Sequence, residues 1–142
     1  MPTLDEIRAF FKNDKYATDT TGIEIISASK GHSEVKLKID ERHLNAVGSL
    51  MGAVFFTMAD FAFAVAVNSD INSDYVTVTL QSSISFMKSV DHGSLIAKAD
   101  VIRDGRSTCV YEICIYSDEP DGKELCRIIT TGSKVLKKSV HK

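Results

Sequence analysis

Apolar and polar positions along this chain fall into three kinds of pattern. The first is at the N-terminus, where Thr3-Leu4-Asp5-Glu6 forms a capping-box pattern followed by Ile7, Phe10 and Phe11 at helical spacing. It predicts a short amphipathic helix of about three turns. The second is period-two alternation. Residues 22–29 and 34–39 read as strands, the latter setting Val35, Leu37 and Ile39 against Glu34, Lys36 and Lys38, with Lys30-Gly31-His32 as the hairpin between them. The third pattern is residues 50–67, where 18 positions hold only Gly52, Thr57 and Asp60 outside the apolar set. A helix so uniformly apolar is expected to be buried on all sides. As a membrane span it would carry an aspartate near its centre, at about 2.5–3.5 kcal/mol, with no basic flank or second span.

Alternation then resumes. Over residues 75–87, Val76, Val78, Leu80, Ile84 and Phe86 fall in one row, expected to face the core. Tyr75, Thr77, Thr79, Gln81, Ser83 and Ser85 fall in the other. Residues 94–103, 107–117 and 123–136 continue as strands, separated by Asp91-His92-Gly93, Asp104-Gly105 and Asp121-Gly122, all hairpin signals. The basic end, residues 134–142, is expected to fray. Six strands with one long helix between the second and third predict an α+β fold, a six-stranded antiparallel sheet wrapped around that helix, as a single domain over residues 1–142.

Composition narrows the chemistry. With 142 residues, 44% of them hydrophobic, the chain has room for a substantial core, and a net charge of −2 gives no reason to expect nucleic acid. Three cysteines, Cys109, Cys114 and Cys126, have neither disulfide-framework nor zinc-site spacing. Asp70, Asn72 and Asp74 imitate the start of a calcium loop, but Tyr75 stands where that loop needs glycine and Gln81 where it needs glutamate. No metal and no cofactor is expected. The first twenty residues lack a continuous apolar block, so a cytoplasmic protein with no membrane partner is expected.

Candidate chemistry gathers at the start of the long helix. Gly48-Ser49 is expected to break the chain and cap the helix through the serine hydroxyl, leaving the amides of Met51, Gly52 and Ala53 without intrahelical partners. Gly52 has no side chain, so an anion or an acyl carbonyl oxygen can approach its N–H while the helix dipole adds positive potential. Asp60 lies eight residues on, about 12 Å along the axis. One helix cannot bring both groups to one carbonyl, so a shared site requires a second, antiparallel copy and a two-fold dimer. Simpler readings stand beside these: Gly52 as a packing glycine, Asn45 as a turn residue bonding its own backbone, Thr79 as an ordinary strand threonine, His43 as a structural loop residue, and Asp60 as an acceptor at a dimer seam.

His43-x-Asn45-x-x-Gly48-x-x-Met51-Gly52-Ala53, followed by Asp60 in an alanine-rich helix and a long strand, resembles the hotdog-fold acyl-CoA thioesterases of the phenylacetic-acid-degradation type. The likeness spans residues 22–136. It implies that Asn45 orients the thioester or the water and that the Gly52 amide polarises the carbonyl. Asp60, from the partner subunit, would be general base or nucleophile, and Thr79 would help position water. By the same resemblance His43, Gly48 and Met51 border the substrate, and Lys88, Arg103 and Arg106 are candidates for the coenzyme A phosphates. One departure is plain: the family usually has histidine where this chain has Met51, which cannot donate a hydrogen bond. The expected function is hydrolysis of an acyl-CoA to acid and CoA by a homodimer or dimer of dimers. The alternative is a non-catalytic acyl-CoA-binding or dimerisation module on the same scaffold.

Overall fold

A computed structural model describes residues 2–140. Helix α1 (Leu4–Phe11) begins at Thr3, whose hydroxyl accepts from the Glu6 amide at 3.2 Å while the Glu6 carboxylate reaches back to the Thr3 amide. It turns Ile7 and Phe11 inward and leaves Phe10 largely exposed. A π-helical turn (Tyr16–Thr21) leads into strands β1 (Glu24–Ser29) and β2 (His32–Lys38), and a short 3-10 turn (Glu41–His43) precedes helix α2 (Gly52–Val67). Strands β3 (Tyr75–Phe86), β4 (Ser94–Asp104), β5 (Thr108–Ser117) and β6 (Glu124–Leu136) follow. A four-residue helix α3 (Lys137–Val140) stands where fraying was expected; residues 141–142 lie outside the described chain. The strands form one antiparallel sheet in the order β1-β2-β4-β5-β6-β3, which leaves β3 as an edge.

The sheet curls around α2. Met58, Phe63 and Val65 of the helix interlock with Val35, Leu37, Leu95, Ile113, Ile115 and Ile128, all almost fully buried. Each such side chain contributes about 1.5–3 kcal/mol. Phe63 needs Gly132 beneath it, because a Cβ there would meet the phenylalanine ring and the Thr77 methyl at 2.7 Å each.

Three sequence expectations are corrected. Helix α2 starts at Gly52, with Met51 in the N-cap position and no side-chain cap; Ser49 does not cap it. Leu50 is drawn instead into a β-bridge with Leu44, and its amide donates to Val90 O at 2.7 Å. Nor is α2 buried all round. Ala53, Phe56, Thr57, Asp60, Ala64 and Val67 escape full burial, and their spacing puts them on one stripe of the helix.

The two rows of β3 are also not what simple alternation predicts. A β-bulge between Thr79 and Gln81 inserts an extra residue and exchanges the faces. Before it Thr77 points inward and is buried. After it Ser82 bonds Thr130 across the core side, and Phe86 packs on Phe55. Leu80, the inserted residue, is 59% exposed.

Candidate active site

The approach to α2 is held from several directions. Asp40 caps the 3-10 turn, accepting from the Arg42 amide at 3.0 Å. Its own amide donates to His43 Nδ1 at 3.0 Å, so the ring proton sits on Nε2, which donates to Thr21 O at 2.8 Å. His43 is 3% exposed with both nitrogens engaged inside the protein. That is a structural lock rather than the substrate contact which the resemblance implies. The His43 carbonyl then accepts from the Met51 amide at 2.9 Å and fixes the residue just before the helix.

Between these points lies a closed loop. Asn45 Oδ1 accepts from the amides of Val47 (3.0 Å) and Ser49 (3.1 Å), and the Asn45 amide donates to Ser49 O at 2.7 Å. Gly48 turns the chain at φ +83°, where a side chain would be strained, and donates to Asn45 O at 3.0 Å. The Asn45 carbonyl oxygen is thus spent on the loop, while its Nδ2 donors have no partner among the described residues. The turn reading of Asn45 and a contact through its amide nitrogen are therefore compatible.

At the helix start, the Val54 amide donates to Met51 O at 2.9 Å, and among the described residues the amides of Gly52 and Ala53 donate to nothing. No acidic side chain occupies the first turn to neutralise the dipole. A Cβ on Gly52 would stand 3.4–3.5 Å from the Phe86 ring, an ordinary contact, so packing alone does not demand glycine at this position.

Asp60 sits at mid-helix on the stripe that is not fully buried. The Thr79 hydroxyl donates to its Oδ1 at 2.7 Å, a pairing made possible by the bulge that turns Thr79 toward the helix. A second carboxylate, missed in the sequence, lies near it. Asp14, in the turn after α1, has its pKa pushed up chiefly by burial, with the like charge of Asp60 adding to the effect. It reaches this place because Phe11 packs edge-to-face on Phe61 at 5.9 Å, and no local motif announces that contact.

The three basic candidates separate. Lys88 follows β3 at the Gly52 end of the helix, where the adjacent Lys123 ammonium lowers its pKa by hydrogen bonding and like charge. Arg103 and Arg106 lie at the far end of β4 and in the turn after it, about 30 Å from the start of that strand at 3.3 Å per residue. Lys88 and the two arginines of one protomer therefore do not serve one phosphate group. A cleft of about 480 Å³ lies at the C-terminal end of α2 between Asn68, Tyr75, Tyr111 and Lys134, and its walls contain neither Gly52 nor Asp60.

A single antiparallel sheet curled around one long central helix is the hotdog architecture. Residues 47–123 match the family model of the thioesterase superfamily. A 1,4-dihydroxy-2-naphthoyl-CoA hydrolase from Listeria monocytogenes is 34% identical over 108 residues, 76% of this chain and 86% of the relative. The acyl-coenzyme A thioesterase PaaI of Escherichia coli is 34% identical over 112 residues, covering 78% and 77%. Among solved structures, a hypothetical thioesterase protein from Streptococcus pneumoniae with coenzyme A superposes with a TM-score of 0.78 at 27% identity, covering 89% of this chain and 97% of that one. The chain belongs to the thioesterase superfamily, in its PaaI-like hotdog branch.

Proposed function

We propose that the protein hydrolyses an acyl-CoA thioester to the free acid and CoA, at a site made by two copies of the chain. The observation that carries this reading is the placement of Asp60. A carboxylate on the uncovered stripe of an otherwise buried helix, held at 2.7 Å by Thr79 and about 12 Å along the axis from the unpartnered Gly52 amide, is arranged for a carbonyl delivered by another subunit. If two helices pack antiparallel so that residue 52 of each meets residue 60 of the other, residue 56 falls on the two-fold axis. Phe56 is there, 40% exposed in the protomer. The unpaired edge of β3 runs alongside it, available for sheet extension.

In the mechanism, the thioester oxygen accepts from the Gly52 N–H, with an Asn45 Nδ2 donor alongside. Asp60 of the other copy takes a proton from water as that water attacks the carbonyl carbon. The Thr79 oxygen, whose hydrogen is given to Asp60, has lone pairs left to accept from the same water. The amide stabilises the tetrahedral oxyanion, an interaction worth about 2.7–4 kcal/mol, and collapse breaks the C–S bond. The thiolate of CoA takes up the proton and leaves. Direct attack by the carboxylate, giving an anhydride that water then opens, uses the same atoms. Unpaired Cys109, Cys114 and Cys126 support a reducing compartment, the cytoplasm. Among the described residues no helix is long and apolar enough to cross a membrane.

The test is release of free thiol from a panel of acyl-CoA esters, with acid and thiol formed in equal amounts. Met51 motivates the second reading, a binding or dimerisation module, because an exposed thioether beside Gly52 donates nothing. Thermal stabilisation by the esters without thiol release would favour it.

A sharper prediction concerns Asn45. Asn45→Asp keeps the acceptor that closes the loop and deletes the Nδ2 donors. Melting temperature is expected to stay within a few degrees while kcat/KM falls at least about tenfold. Full turnover in that variant would leave Asn45 a turn residue only.

A further inference from the structure

Away from the helix start, the cleft at the C-terminal end of α2 holds polar groups that the fold leaves unused. Ser69, Thr77 and Tyr111 line it, and they are only 1%, 8% and 3% exposed. Among the described residues, every side-chain nitrogen or oxygen sealed from solvent has a hydrogen-bond partner. The hydroxyls of these three have none among those residues, so the little surface each keeps opens on the cleft. Tyr111 is set there by its ring, which packs edge-to-face on Phe63 at 5.2 Å. Its hydroxyl ends beside Gly31, 3.9 Å from where a Cβ would stand. Burial pushes its pKa up to about 12, with Cys109 and Asp104 adding to the effect, so it stays a neutral group that can both donate and accept. A buried hydroxyl without a partner is costly, and three around one cleft call for a shared one.

The charges say which kind. Lys134 Nζ donates to Asp104 Oδ1 at 2.8 Å and to Gly105 O at 2.7 Å, while exposed Lys30 and Asp70 complete the charged lining. Two ammoniums and two carboxylates balance. A free anion meets both aspartates and the negative end of α2, whose last turn carries no basic side chain. A free cation meets both lysines. An uncharged hydroxyl suffers neither and matches the wall, since it donates and accepts as the wall's own hydroxyls do. Tyr75, 57% exposed, adds an aromatic face for an apolar ring edge.

We propose that this cleft is a ligand site in its own right and takes an uncharged polyhydroxylated molecule of monosaccharide size. Its volume, about 480 Å³, suits a small molecule. Asn68, in its wall, is the residue after α2, about 12 Å along the axis from Asp60 and about 24 Å from Gly52. The site therefore stands whether or not the thioester reading does.

The test uses glucose, myo-inositol and ribose as uncharged probes, with glucuronate and protonated glucosamine as charged counterparts. Calorimetry and saturation-transfer NMR follow them on the wild type, on Tyr111→Phe, which keeps the ring on Phe63, and on Ser69→Ala. At least one uncharged probe is expected to bind, and the charged ones more weakly. Each variant is expected to lose about three- to tenfold in affinity. Each is also expected to melt at or above the wild-type temperature, because it sheds a hydroxyl that the fold itself leaves unpaired. Binding by none of the uncharged probes, stronger binding by a charged one, or unchanged affinity in both variants would overturn the proposal. So would displacement of the probe by CoA, which would make the cleft part of the acyl-CoA site. A melting temperature several degrees lower in both variants would also overturn it, assigning the hydroxyls to structural water.

Discussion

Asp60→Asn is expected to lower kcat/KM for acyl-CoA by about 10²–10⁴ while leaving the fold intact. The substitution is nearly isosteric, and the Thr79 hydroxyl that donates to Asp60 Oδ1 at 2.7 Å can donate equally to the amide oxygen of asparagine. The stability change is expected to stay within about 1 kcal/mol. On the proposed mechanism, what disappears is the group that accepts a proton from water or attacks the carbonyl. A drop in kcat with little change in KM would be its signature, since the carboxylate is engaged in the transition state rather than in holding CoA. An Asp60→Asn protein hydrolysing a panel of acyl-CoA esters at the wild-type rate would remove both the general-base and the nucleophile routes.

How much of this was readable in the chain depends on whether each feature is local. The N-terminal helix was, because its cap is closed by two residues three apart, Thr3 and Glu6, and the structure shows both bonds. Strand β2 was, since Val35 and Leu37 alternate without interruption and are buried. In β3 the alternation is equally regular in sequence, but one bulge exchanges the rows at Leu80, and nothing in residue type marks a bulge that contains no glycine. The exchange is what aims Thr79 at Asp60. The helix start was misplaced by two residues because Ser49 is a good cap by type, whereas the loop closed by Asn45 holds it elsewhere. The stripe along α2 was hidden for a different reason. Ala53, Phe56 and Ala64 are apolar whether the sheet or another chain covers them, and only Thr57 and Asp60 on the same stripe are polar. Asp14 approaches Asp60 through tertiary packing, so no spacing rule finds it.

Gly52 offers a test of the two-chain site that does not depend on the fate of any side chain. It is the first residue of α2, a position where proline is welcome, and Met51 before it has ψ 136°, the extended conformation that a following proline prefers. Gly52→Pro therefore deletes the N–H while keeping the helix, and is expected to fold normally and lose about 10²–10³ in kcat. Mixing it with Asp60→Asn then separates the possible arrangements. If amide and carboxylate come from one chain, each variant is defective in its own site, and every mixed dimer is as inactive as its parents. If they come from two chains, a mixed dimer joins the intact Gly52 of one protomer to the intact Asp60 of the other and restores one of its two sites. Random reassociation makes half of the dimers mixed, so the mixture is expected to recover about a quarter of wild-type activity. Recovery at that level from two inactive preparations, lost again when the subunits are prevented from exchanging, has no explanation within a single chain. No recovery after demonstrated exchange would place the carbonyl and the base in the same protomer. The 12 Å between them along α2 would then have to be spanned some other way.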